Sequence, residues 1–357
     1  MDFQSEDYYK VESDLSNIMD RIKIDKKAYL SFWAAAEHNG KLYISDPNNR
    51  GLLEYDLTTG ETVVKNIFMA ENNMNNYRFA FEYKGQIWFV PLRNSGEIAI
   101  YNVNNNIEYI AIPKSESKCE YRPFAGSYVI GDKAYLVPAY YDCLLCIDLE
   151  SRNMRRIDIE INKYAGDAYT IYKSSYLKDN KIYFCPYNNA EVKYFDTATG
   201  IVDNIPVVIG EKKYSNVCVW DNELYLLPKE IKNGILKYNI KEKTQEVICL
   251  DDNNVTMQCE CSFMRDNIIY GLPYNSNKMY LFDCLNNRLE LKDFCTSERT
   301  LSFLFAQALD ENRVLILSED KKTPCMIWEK ERIQLVDIKL QEDYFIKELL
   351  MELEERG

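Results

Sequence analysis

The chain reads as all-β: a seven-bladed β-propeller with four-stranded antiparallel blades, plus short terminal helices. Three observations carry that expectation. First, an aromatic residue followed by Asp or Asn recurs as Tyr55-Asp56, Tyr101-Asn102, Phe195-Asp196, Tyr238-Asn239 and Phe282-Asp283, and Ile147-Asp148 and Trp328-Glu329 complete the series. The intervals between successive polar members are 46, 46, 48, 43, 44 and 46 residues. Second, an upstream aromatic keeps the same period at Tyr43, Trp88, Tyr135, Tyr183, Tyr225 and Tyr270, with Leu315 in seventh place. Third, each unit of about 44 residues breaks into four short β-rich runs bounded by Asn, Asp and Gly, the pattern of strands joined by tight turns. Four-stranded units at a fixed period are the mark of sheets repeated radially.

In chain order, residues 1–29 form an extension in which Ser13 caps a short helix presenting Leu15, Ile18 and Met19. Residues 30–338 hold the seven units. In the second, the runs are Arg78–Tyr83, Gln86–Val90, Glu97–Val103 and Ile107–Ile112. Its first turn, Lys84-Gly85, recurs as Asn39-Gly40, Asp132-Lys133, Asp179-Asn180, Asp221-Asn222, Asp266-Asn267 and Glu311-Asn312. These residues tolerate the positive φ of two-residue hairpins. Pro91, Pro138, Pro186, Pro228 and Pro273 end the second strands, where a missing N–H removes no ladder bond. Pro47 is displaced by one residue and Ser318 replaces the seventh proline. The Asp or Asn after the first aromatic is expected to accept backbone N–H groups of the next turn, as in Asp56–Gly60. The ring closes in one of two ways: Arg332–Ile338 completes the seventh blade, or Arg21–Ile24 supplies its outer strand. Residues 339–357 form an amphipathic helix with Phe345, Leu349, Leu350 and Leu353 on one face, docked on the propeller or on a partner.

A chain of 357 residues exceeds one conventional core, but a propeller divides its interior among many small ones. Forty-three basic against 56 acidic residues give a net charge of −13, which argues against a nucleic-acid partner. No apolar run approaches the ~18 residues of a spanning helix, so no membrane partner is expected. The first twenty residues are acidic and lack the apolar stretch of a secretory signal. With that, 11 cysteines point to free thiols in a reducing cytoplasm. His38 is the one histidine, which removes the commonest acid–base, triad and zinc chemistry. Cys143/Cys146 and Cys259/Cys261 read as structural thiols, Asp251–Asn254 as a solvated turn, and His38 as a solvated hairpin residue. No cofactor or metal is expected.

Asp56-Leu57-Thr58-Thr59-Gly60 and Asp196-Thr197-Ala198-Thr199-Gly200 resemble the D-x-x-T-G turn of PQQ-type propeller repeats, and the blade length is similar to that of kelch and WD40 propellers. The kelch Gly-Gly pair, the WD40 Gly-His pair and the PQQ-type docking tryptophan are absent, and Trp220-Asp221 falls at a hairpin turn. The resemblance covers about 309 residues and implies a fold without naming a family of known activity.

Propellers of this plan use the loops at one end of a central channel. Segments leading into the first strands hold Tyr77, Arg78, Tyr121, Arg122 and Arg299; connections between second and third strands hold Tyr140, Tyr187 and Tyr274, with Arg93 and Asp142 nearby. Arginines and tyrosines together suit carboxylates, phosphates and protein interfaces. The bland alternative is that 28 tyrosines scatter into loops unselected, and that the arginines pair with local acids, as Glu298 beside Arg299 suggests. The leading expectation is a non-enzymatic cytoplasmic scaffold or adaptor binding a partner protein through this face. A glycan or anionic small-ligand binder is the alternative. A third is a lyase or hydrolase working without histidine, with Asp142 and Tyr140 as its acid–base pair and Arg78 or Arg122 as electrophile.

Overall fold

In the computed structural model the chain is a seven-bladed β-propeller of four-stranded antiparallel blades. The structure describes residues 30, 32–46, 51–69, 77–103, 106–117, 119–159, 172–186, 191–210, 213–249, 257–294, 300–320, 322–329 and 332–338. Blade one runs Ala35–His38, Lys41–Ser45, Gly51–Asp56, Thr62–Ile67; blade two Tyr77–Tyr83, Gln86–Pro91, Glu97–Asn102, Ile107–Ala111. Blade three is Phe124–Ile130, Lys133–Pro138, Leu144–Asp148, Met154–Ile157; blade four Tyr172–Lys178, Lys181–Pro186, Val192–Asp196, Val202–Ile205. Blade five is Tyr214–Trp220, Glu223–Pro228, Ile235–Asn239, Thr244–Ile248; blade six Ser262–Arg265, Ile268–Gly271, Lys278–Asp283, Arg288–Asp293. Blade seven is Leu301–Ala308, Arg313–Ser318, Cys325–Glu329, Arg332–Val336. Its outer strand is therefore Arg332–Val336; Arg21–Ile24 and both terminal helices lie outside the described residues. The chain divides into two compact units, with blades one to four in Phe32–Val219 and blades six and seven in Trp220–Asp337.

The two aromatic landmarks share one period because they meet between neighbouring blades. The second-strand aromatic of one blade packs on the third-strand aromatic of the next: Tyr43 on Tyr101 at 5.8 Å and Tyr135 on Phe195 at 5.6 Å in one unit. In the other unit Tyr225 lies on Phe282 at 5.4 Å and Tyr270 on Trp328 at 5.3 Å. Each such pair adds about 0.5–1.5 kcal/mol beyond burial. The cores follow these contacts. One cluster joins blades one and two through Tyr43, Leu52, Phe68 and Phe89, one joins three and four through Tyr135, Leu144, Phe184 and Phe195, and one joins six and seven.

At the hairpin edge, where first strands meet second and third meet fourth, the bonding repeats. The Oδ1 of Asp56 accepts from the Thr58 and Thr59 N–H groups at 2.8 and 2.9 Å, and Asp196 does the same for Ala198 and Thr199. Both turns close on a glycine at positive φ, Gly60 at 73° and Gly200 at 75°, where a β-carbon would be strained. Asp148, Asn239 and Asp283 cap their turns likewise. In blades one to six the next residue donates its N–H to the carbonyl of the second residue of the first hairpin, as Leu57 does to Gly40 at 3.0 Å and Cys284 to Asn267 at 2.9 Å. Blade three corrects the expected turn by one residue: it is Gly131-Asp132, because Gly131 supplies the positive φ of 58°. Blade seven has a four-residue connection, Leu309 to Asn312, organised by Asp310. His38 ties hairpins together instead of standing in solvent. Its Nδ1 lies 3.3 Å from Glu82 of blade two and its Nε2 2.8 Å from the Asn39 amide.

The opposite edge explains the prolines. In blades two, three, four and seven the first strand bulges opposite the end of the second strand, at Arg78, Ala125, Lys173 and Leu304. A bulge skips a ladder bond, so a residue without an N–H fits there. Blade seven shows the same economy with serine, whose N–H turns to Cys325 Sγ at 3.4 Å.

Candidate functional site

The loop edge holds the lead-in segments and the second-to-third connections. At three junctions these two pair across neighbouring blades. Arg93 bridges Tyr121 between blades two and three, and Glu230 bridges Gln258 between five and six. Between six and seven, Tyr274–Ser276 adds a fifth strand to the blade-seven sheet by pairing with Leu301 and Ser302. Backbone bonds fix the ties: Arg122 N–H to Leu92 O at 2.7 Å, Cys259 N–H to Lys229 O at 2.9 Å, and Phe303 N–H to Pro273 O at 3.0 Å.

The junction of blades two and three is the most elaborate. Asn94 donates its backbone N–H to Glu120 O at 2.9 Å and its amide to Cys119 O at 2.6 Å. Pro123 O accepts from Ala139, Tyr140 and Tyr141. Arg122 is thus held from blade two through its N–H and from blade three through the next carbonyl. It is also held at φ 54°, a left-handed conformation costing a branched or long side chain about 1 kcal/mol, and such strain concentrates at functional positions. Its neighbour Tyr121 is 50% exposed. The Arg93 guanidinium lies over the Tyr121 ring, 4.2 Å from its centroid, and donates through Nη2 to the hydroxyl. Among the described residues neither Arg93 nor Arg122 is in ion-pair contact with a carboxylate.

Behind this pair stands a clamp. Arg156 donates through Nη2 to Asp142 at 2.5 Å and through Nη1 to Lys114 O at 2.8 Å, with its guanidinium 5.6 Å from the Tyr141 ring centre. Asp142 also accepts from Ser115 Oγ and the Glu116 N–H, both at 3.1 Å. Burial pushes the Asp142 carboxyl up, but the Glu116 N–H, Arg156 and Ser115 outweigh it and hold it below the usual range. Both oxygens are engaged in fastening residues 113–117, so Asp142 works as a structural anion, and its low proton affinity is the opposite of what a general base needs.

The structure distributes the expected site residues unevenly. It brings Tyr121 together with Arg93, a partner whose only trace in sequence is an arginine two residues past the repeat's proline, and ties Arg122 to Leu92 of blade two through its backbone N–H. Arg78 is the bulged residue of blade two, its guanidinium 5.4 Å from the Phe79 ring centre. Tyr77 departs from the expectation of a surface residue: only 3% of it is exposed, and its ring sits 4.7 Å from Phe68 and 5.6 Å from Phe89. Burial raises its hydroxyl well above the usual tyrosine range. Tyr140 packs part of its ring on the core between blades three and four. Tyr274 belongs to the tie between blades six and seven. Tyr187 and Arg299 lie outside the described residues, as does Asp251–Asn254. The paired thiols are buried: Cys143 is raised to about 11 and Cys259 to about 12 by desolvation, and Cys259 Sγ donates to Cys261 O at 3.0 Å. Among the described residues no group of three or more His, Cys, Asp and Glu side chains is placed to hold a metal.

No protein-family model matches the sequence, and no curated protein matches it. Among solved structures the chain is similar to the extracellular domain of a putative one-component system from B. thetaiotaomicron, at 13% identity and a TM-score of 0.57. That match covers 92% of this chain and 43% of the other, so the chain spans less than half its length. BamB from Moraxella catarrhalis is similar at 12% identity and a TM-score of 0.56, covering 84% of this chain and 85% of that one. YCF48 from Cyanidioschyzon merolae is similar at 8% identity and a TM-score of 0.61, covering 86% and 98%. At these identities the likeness is one of fold.

Proposed function

We propose that this propeller is a non-enzymatic adaptor that binds a partner protein through its loop edge, at the junction of blades two and three. The observation that carries the reading is Tyr121, half-exposed yet pinned beneath Arg93 on a segment tied to both blades. A large aromatic ring held in one orientation loses little freedom on binding, and Tyr and Arg are the side chains that dominate interface energetics. Asp142, the acid–base candidate of the catalytic alternative, is fully occupied in holding residues 113–117. The ten described cysteines are free thiols, eight of them buried, which supports residence in the cytoplasm.

The test is affinity capture from source-cell lysate with wild type beside Tyr121→Ala, read by mass spectrometry. A protein recovered by wild type and lost by the folded variant is the expected result. Identical recovery by both proteins overturns the assignment of this face.

A further inference from the structure

We infer that the junction of blades two and three accepts an acidic segment of a partner protein, its carboxylate side chains meeting Arg93 and Arg122. This rests on the adaptor reading above and adds the chemistry of the partner. Two junctions with the same backbone tie differ in how their charges are met. Between blades five and six the cations are neutralised internally: Lys229 lies 2.8 Å from Glu260, and Lys232 lies 2.7 Å from Glu230, the residue equivalent to Arg93. Glu260 is 7% exposed, so that pair is built into the tie. Between blades two and three the tie carries Arg93 and Arg122, neither in ion-pair contact with a carboxylate among the described residues, and Glu120. Glu120 accepts from Ser95 Oγ at 3.0 Å, and Arg93 turns to the Tyr121 ring instead. An aromatic face satisfies a cation only in part: Nη2 donates to the Tyr121 hydroxyl and Nε is buried without a partner among the described residues, so Nη1 is the group left for a carboxylate.

The rest of the molecule sharpens the point. On a chain of net charge −13, two arginines at one junction without a carboxylate ion pair among the described residues stand against the overall sign. An acidic peptide approaching elsewhere is repelled, so the overall field and the local site together select position. Tyr121 adds an apolar ring beside the charges, suited to the aliphatic part of a Glu side chain.

The test uses the full chain and a fluorescein-labelled peptide of alternating Glu and Gly, with a Gln/Gly peptide of equal length as control, followed by anisotropy at about 50 and 150 mM salt. The Glu peptide is expected to bind, more weakly at the higher salt, and the Gln peptide to show no binding. Arg93→Ala and Arg122→Ala are each expected to weaken binding fivefold or more. Arg93→Lys, which keeps charge but loses the fork, should fall between. Arg152→Ala, which removes a cation paired with Glu108 at the hairpin edge, should leave binding unchanged. A photo-crosslinking version of the Glu peptide on wild type supplies a mapping free of folding effects, with adducts expected at residues 92–95 and 119–123. Absence of Glu-peptide binding, crosslinks elsewhere, or preference for an oligogalacturonate overturns the proposal. If Tyr121-dependent capture succeeds while the Glu peptide fails, the adaptor reading stands and the acidic chemistry falls.

Discussion

At the hairpin edge, six blades close their turns with one recurring bond from the residue after the Asp or Asn to the neighbouring hairpin, whereas at the loop edge three junctions share a backbone tie and differ in the side chains that line it. The first edge depends on side chains: an Asp or Asn oxygen must reach two N–H groups while a turn residue takes positive φ, a Gly, Asn or Asp in several blades and Lys or Arg at Lys84, Arg152 and Lys243. The second depends on main-chain groups that any residue can supply. Stability therefore constrains residue types more tightly at the hairpin edge than along the backbone ties of the loop edge, and specific binding chemistry has more room to diverge at the second.

Substitutions can break this contrast. The largest loss is expected for Asp283→Ala at the hairpin edge. Asp283 is 1% exposed and accepts from the Leu285 and Asn286 N–H groups and from the Asn267 and Asn286 amides. Leaving these donors unmatched should cost about 2–4 kcal/mol in denaturant unfolding; a loss under about 1 kcal/mol would mean the turn closes without its cap. Asp142→Asn, behind the loop edge, is expected to cost about 1–2 kcal/mol at pH 7. The folded carboxyl is held low, so its contribution is present above the unfolded value near 4 and is lost as pH falls through the folded value. Wild type and variant should converge once pH falls below the folded value; a gap that persists at the acid end removes the charge from the explanation.

Arg93→Ala should change stability by under about 0.5 kcal/mol while removing the cation over Tyr121. Unfolding beside the wild type distinguishes a binding residue from a strut, since a loss above about 2 kcal/mol would make Arg93 structural. Alkylation at pH 8 reads both edges without altering either. Cys119 at the loop edge and Cys249 are partly or fully exposed and should react first. Cys284, beside Asp283, is buried and raised to about 12, so modification as fast as Cys119 would show that the hairpin edge opens.

Much of the hairpin edge was legible in sequence because its bonds demand particular residues. The Asp56–Gly60 and Asp196–Gly200 turns could be read to the residue; the slips were at Gly131-Asp132, where of two neighbouring turn formers only the glycine takes the positive φ, and in blade seven, where the expected Glu311-Asn312 turn is the four-residue connection Leu309 to Asn312. Blade count and the Pro-ended strands followed from the same periodicity. The loop edge was less readable. Its ties run from N–H to C=O, as from Arg122 to Leu92, and leave no residue signature. Tyr77 had the look of a surface aromatic before an inner strand, but Phe68 arrives from the preceding blade to cover it. Arg93 acquires meaning only when Tyr121, distant in sequence, is placed across from it.

Blade seven draws its four strands from the single stretch Leu301 to Val336, as blade one does from Ala35 to Ile67. Among the described residues no blade waits for a distant strand to supply any of its four, although Tyr274–Ser276 adds a fifth to the blade-seven sheet. Most hydrogen-bonded pairs therefore close over short chain separations, a low contact order for an all-β protein and one that favours rapid folding. During synthesis each sheet can assemble as its own residues emerge and then offer the next one an aromatic face on which to dock.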